Sequence, residues 1–136
     1  MCRNFFEYLR IKFKHRGRGW DAGDCFNLAL LFYSKEFGID LGDLPEEYDL
    51  DWAQNGGNYF TDLYEKWGFT QVSAPEFGDG VLFSTNGVVA HCGVVIDPSE
   101  GKFLHTSRVG THIDNYVTTA WAAKLSGFYR FKDLRT

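Results

Sequence analysis

One cysteine and two histidines carry the most chemical promise in this sequence. Cys25 follows Asp24, a residue type that caps helix N-termini, and it opens an apolar run reaching Phe37. A thiol attacks carbonyls well only as a thiolate, and the free N–H groups and dipole of a helix start favour that anion. A buried structural cysteine is the plainer reading of the same residue, since unpaired cysteines are common in cores. His91 lies in the apolar stretch Val88–Ile96, where an imidazole must find a partner. It is either a core histidine bonded to backbone or a base for the thiol. His105 sits in Lys102–Ser107. If the two stretches pair across the turn at 97–101, His105 comes beside His91 and can orient it, as the third member of a nucleophile–base site. Alternation sets His91, Gly93 and Val95 on one strand face. Cys92 falls on the other and reads as packing that points away from the site. His15 and His112 fall in expected loops and receive no role. Zinc is a competing use of Cys25, His91 and His105 with water as fourth ligand, although no C-x-x-C or H-x-x-x-H pair accompanies them.

These residues need elements to hold them. The spacing of Phe5, Phe6, Leu9 and Phe13 predicts an amphipathic helix over 2–13, and Gly17, Gly19 and Gly23 predict a loop over 16–23. The helix opened by Cys25 is apolar nearly all round, so it should be central and buried, and Gly38 stops it. An acidic loop follows over 39–56, with Asp40, Asp43, Pro45, Glu46, Glu47, Asp49 and Asp51. A helix over about 58–67 places Tyr59, Phe60, Leu63, Tyr64 and Trp67 at helical spacing. After Pro75 the pattern turns to strands at Val81–Phe83, Val88–Ile96, 103–107 and 128–131, with turn signals at Thr85-Asn86-Gly87 and Asp97–Gly101. A short helix is expected near 119–125. Helices first and an antiparallel sheet second describe an α+β fold.

Bulk properties bound the function. The 136 residues suit one domain, with 44% hydrophobic and 18% aromatic content. The net charge of −4 gives no general case for nucleic-acid binding, but residues 1–19 carry +5 (Arg3, Arg10, Lys12, Lys14, Arg16 and Arg18 against Glu7) and leave −9 for the rest. That leader is either a docking surface for an acidic partner or a solvated segment. Cys2, Cys25 and Cys92 are too few and too odd for a disulfide framework, which fits synthesis in a reducing compartment. No run reaches the ~20 apolar residues of a membrane span. The N-terminus lacks a signal-peptide pattern, so the expectation is a protein made in the bacterial cytoplasm and delivered by some other route.

The order Asp24-Cys25, Gly78-Asp79 before Val81-Leu82-Phe83, His91-Cys92-Gly93 and Phe103-Leu104-His105 resembles the NlpC/P60 family of cell-wall cysteine peptidases. The resemblance covers roughly residues 17–132. Asp24-Cys25-Phe26-Asn27-Leu28, the aromatic pair Phe32-Tyr33 and Gly127-Phe128-Tyr129-Arg130 look most like the branch carried on phage tails. The resemblance implies a papain-like fold in a single domain, 1–136, with a basic N-terminal helix or arm over 1–16 and a catalytic core over 17–132. The nucleophile helix would pack on the antiparallel sheet. It implies hydrolysis of peptidoglycan stem peptides, with Cys25 as nucleophile, His91 as base and acid, and His105 as orienting residue. No cofactor or metal is implied. Asp24, Trp20 and Phe26 are the candidates for substrate binding or oxyanion contact, together with the Cys25 backbone N–H.

Two departures stand out. Phe26-Asn27 replaces the family's usual Ser-Gly or Trp-Gly. Phe13, Lys14 and His15 occupy the place where many members have a tyrosine, leaving Trp20 as the nearest aromatic. The implied setting is a virion tail acting at the cell wall, with stem peptides and tail-tip proteins as partners. The alternatives are a structural tail-tip component with a vestigial site, and an amidase effector of a contractile secretion system.

Overall fold

Helix α2 (Cys25–Phe37) begins where Asp24 turns its carboxylate back on the helix and accepts from the Asn27 N–H at 2.9 Å. A cap of this kind contributes about 1 kcal/mol. The helix ends at Gly38, whose φ of 66° lets its N–H close on Ser34 and Tyr33. Phe26, Leu28, Ala29, Phe32 and Tyr33 are buried, each large side chain contributing about 1.5–3 kcal/mol. Ser34 and Lys35 stay exposed, so the helix is buried on one broad face and not all round. The computed structural model describes residues 5–42 and 59–132. Cys2, Arg3 and the acidic stretch from Asp43 to Asp51 lie outside the described residues, as do the side chains of Tyr59 and Phe60.

The sheet supplies the other wall. Strands β3 (Phe69–Val72), β4 (Gly80–Thr85), β5 (Val88–Asp97), β6 (Lys102–Ser107), β7 (Gly110–Asn115) and β8 (Leu125–Phe131) form a six-stranded antiparallel sheet in the order β3-β8-β4-β5-β6-β7. The β4–β5 hairpin turns on Asn86 and Gly87, both at positive φ (53° and 82°), a two-residue turn whose twist matches the strands. Leu82, Cys92, Val94, Leu104 and Tyr129 join α2 and helix α3 (Tyr59–Lys66) in the main core, where Phe32 meets the rings of Phe5, Tyr8, Phe37 and Phe77. A smaller core gathers Val81, Phe83, Val95, Phe103 and Tyr116 with Trp121 of the 3-10 helix Ala120–Lys124. The α+β expectation is met.

The N-terminal segment departs from expectation. Among the described residues of this segment one helical turn forms, α1 (Phe6–Leu9), followed by β1 (Lys12–Phe13), which pairs in parallel with β2 (Ala22–Gly23). Tyr8 and Ile11 are the buried residues, while Phe6 is 71% exposed. Tertiary hydrogen bonds win over the helical pattern. Lys12 and Lys14 donate their N–H groups to Asp21 and Gly23, and the Ile11 carbonyl accepts from Thr111 Oγ1 at 2.9 Å. Strands β3 and β7 also form where the sequence pattern is too polar to announce them.

The Gly78-Asp79 motif proves to be a lock. Asp79 is wholly buried, and Arg130 of β8 grips it from Nε and Nη2 at 2.8 and 2.6 Å. Burial pushes the Asp79 carboxyl up and the guanidinium pulls against that rise. The lock fixes the entry into β4 against β8.

Candidate active site

Cys25 occupies the first turn of α2, partly buried, and the loop expected over 16–23 narrows to 16–21, because Ala22–Gly23 form β2. Asn27 staples that loop to the helix: its Oδ1 accepts from the Gly19 N–H at 2.8 Å and its Nδ2 donates to the Gly19 carbonyl at 3.0 Å. A Cβ on Gly23 would stand 2.1 Å from Asn27 Nδ2, so glycine there is what lets Asn27 in. Asp24 carries more than the cap. It also accepts from the Arg16 N–H and from Arg18 Nη1, both at 3.2 Å.

Cys25 meets two consecutive residues of β5. Its thiol is drawn down to about 6, chiefly by a hydrogen bond from Cys92, against burial, with further help from a hydrogen bond and the charge of His91. The Cys92 thiol is itself pushed well up by burial, so it stays protonated and donates. The expectation that Cys92 points away from the site is therefore corrected. Alternation does turn it to the helix face, but that is the face on which the nucleophile lies.

His91 continues the chain of contacts. Its Nε2 lies 2.8 Å from His105 Nδ1, and His105 Nε2 lies 2.6 Å from Asp114 Oδ2 on β7. His105 is 2% exposed, and burial together with the charge of His91 lowers it to about 4 against the pull of Asp114. His105 is thus neutral near pH 7. Gly93 makes the arrangement possible, since a Cβ there would stand 2.8 Å from the Leu104 carbonyl and 3.1 Å from His105 Cβ. Trp121 closes the far side, its indole stacked on the His91 ring at 5.0 Å and 23°. Among the described residues no group of three His, Cys, Asp or Glu side chains is arranged to hold a metal ion. Both ring nitrogens of His105 are already engaged.

The structure therefore brings Cys25, His91 and His105 together, and places the other three candidates elsewhere. Asp24 is committed to the cap and the loop. Phe26 is 2% exposed in the main core and offers a substrate no surface. Trp20 is 40% exposed and rests on the Tyr8 ring at 5.3 Å, in a cleft with Glu7, Arg10, Lys12, Asp21 and Ala22. Phe13 pairs with Gly23 in the small sheet. Asp114 and Trp121 escaped the sequence reading. The turn at Arg108-Val109-Gly110 after β6 was the available signal for Asp114, because a hairpin there puts it on the His105 side of the next strand.

The described residues contain no helix long and apolar enough to cross a membrane. No curated protein matches the sequence significantly. Among solved structures, the chain resembles the NlpC/P60 domain of the peptidoglycan hydrolase SagA at 15% identity and a TM-score of 0.59, covering 93% of this chain and 92% of that one. It also resembles an NlpC/P60 family protein from Bacillus cereus ATCC 10987 at 19% identity and a TM-score of 0.61, covering 91% of this chain and 36% of that longer one. At such identities the likeness shows the shared fold. The NlpC/P60 family profile matches residues 10–130, and on that match the chain belongs to the NlpC/P60 family.

Proposed function

We propose that this protein is a cysteine hydrolase that cleaves amide bonds in peptidoglycan stem peptides. The observation that carries the reading is the His91–His105–Asp114 chain of hydrogen bonds beside a first-turn cysteine whose thiol His91 helps lower to about 6. The Cys25 thiolate attacks the scissile carbonyl, forming a C–S bond. The helix-start N–H of Cys25 faces the developing oxyanion. His91 has Nε2 on His105, so Nδ1 is the nitrogen that takes the thiol proton and returns it to the leaving amine. Water then cleaves the thioester with His91 as base. Family membership supports peptidoglycan as substrate, since NlpC/P60 proteins generally act there as cysteine peptidases or amidases.

Carriage to the wall on a phage tail is the accompanying proposal, supported by the likeness of Asp24–Leu28 and Gly127–Arg130 to that branch. Mass spectrometry of muropeptides from purified sacculi tests the activity. Wild-type protein should release stem-peptide fragments and Cys25→Ala should release none, a loss of at least ~10³-fold. Equal digestion by both proteins would end the mechanism. Co-purification with tail particles tests the carriage.

A further inference from the structure

We infer that Asp114 is a positioning residue that sets the proton pattern of the whole site by fixing the tautomer of His105. An ionised carboxylate can only accept. Asp114 Oδ2 lies 2.6 Å from His105 Nε2, so the hydrogen of a neutral His105 sits on Nε2. Its Nδ1 is then a bare lone pair facing His91 Nε2 at 2.8 Å. His91 must place its own hydrogen on Nε2 to fill that contact. The lone pair of neutral His91 is therefore on Nδ1, the nitrogen left for the Cys25 thiol.

Reversing the first bond reverses every later one. With the hydrogen on His105 Nδ1, His91 Nε2 would have to accept, and His91 Nδ1 would carry a hydrogen when it needs to take one. An orienting histidine alone does not choose between these patterns, because imidazole presents one donor and one acceptor either way round. The carboxylate chooses. Once the thiol proton reaches His91, the same chain spreads the imidazolium charge toward Asp114, as the buried carboxylate does in a nucleophile–base–acid triad.

The placement suits this role and little else. Asp114 is on the edge strand β7 with its side chain 36% exposed, while its partner is buried. His105 and His112 pair across the β6–β7 ladder, so Asp114 lies one alternation further on the same face. The titratable groups facing His105 are His91 from β5 and His112 and Asp114 from β7. Asp114 is the one carboxylate among them. Trp121 and Phe103 pack on the ring without charge.

The inference rests on the cysteine-hydrolase reading of this site, but its test needs no substrate. The rate of iodoacetamide reaction at Cys25 is followed against pH in wild type, Asp114→Ala, Asp114→Asn and Asp114→Glu, each with Cys92 and Cys2 accounted for by peptide mapping. The midpoint should rise by roughly one pH unit in the Ala and Asn variants and return toward wild type in Glu, with Tm nearly unchanged. Unmoved midpoints in the Ala and Asn variants would overturn the role, and so would a midpoint that moves only in step with Tm. Nitrogen-15 NMR of wild-type His105 adds a reading independent of any variant. Protonated Nε2 with bare Nδ1 is expected, and the opposite tautomer overturns the inference. Failure of the wild-type protein to digest sacculi would overturn the peptidoglycan reading and leave the tautomer of His105 untouched, whereas the wrong tautomer or an unmoved midpoint would overturn only the role of Asp114, so the two failures are distinguishable.

Discussion

Two carboxylates, one just ahead of β4 and one on β7, meet nitrogen bases at nearly the same distance, and they serve opposite ends. Asp79 and Arg130 lie 2.6 Å apart, as do Asp114 and His105. In the first pair the base holds its proton at any pH the protein meets. Asp79 is wholly buried, gripped at two points by the guanidinium, and takes a further hydrogen bond from the Glu76 N–H at 2.7 Å. Three hydrogen bonds hold the carboxylate, both of its oxygens are engaged, and the pair has no proton to pass on. In the second pair the base is a buried imidazole held neutral, with a second imidazole on its other nitrogen and a thiol beyond that. One difference, the proton affinity of the nitrogen, turns the same contact from a bolt into a proton relay. The lesson is that a short carboxylate contact says little until its partner is known.

Breaking the bolt should have the largest effect. Arg130→Ala leaves a buried carboxylate unpaired and should cost about 3–5 kcal/mol, read by urea denaturation, while the Cys25 alkylation midpoint of the folded fraction stays put. A cost below ~1 kcal/mol would show the pair to be ornamental. The relay should register chiefly with pH. His105 titrates near 6.5 when unfolded and about 4 when folded. The unfolded chain therefore binds the proton first as pH falls. The stability from neutral His105 is present in full above about 6.5 and is lost on descending to about 4, a change of about 3 kcal/mol. His105→Gln, which cannot take that proton, should show a correspondingly shallower acid slope in chemical denaturation. Parallel slopes would remove the neutral-histidine premise of the comparison. The smallest effect concerns Cys92. Cys92→Ala removes the hydrogen bond that lowers Cys25 most, so the alkylation midpoint should climb from about 6, for a packing cost of about 1–2 kcal/mol. An unchanged midpoint would return Cys92 to mere packing.

The Phe26-Asn27 pair that follows the cysteine has a structural reason in the loop and the core. Asn27 takes two hydrogen bonds to Gly19, and Gly23 clears the space. The loop around Gly19 is thereby tied to α2 through the Asn27 side chain. Phe26 occupies core volume and the substrate side is left to other residues.

Sequence alone determined the parts whose cause is local. The Asp24 cap, the Gly38 stop, the apolar face of α2 and the Asn86-Gly87 turn are each written within a few neighbouring residues. So is the order Cys25, His91, His105, because alternation and a hairpin suffice to bring two histidines together. Only the tertiary structure decided what depends on partners far along the chain. A helical pattern over 2–13 gave way to a parallel pairing 10 residues on. The polar strand β7 exists because β6 offers it a ladder, and it brings Asp114 to His105. Cys92 became a partner of the nucleophile because α2 lies on its side of the sheet. Periodicity tells which way a side chain turns, and packing decides what is waiting there.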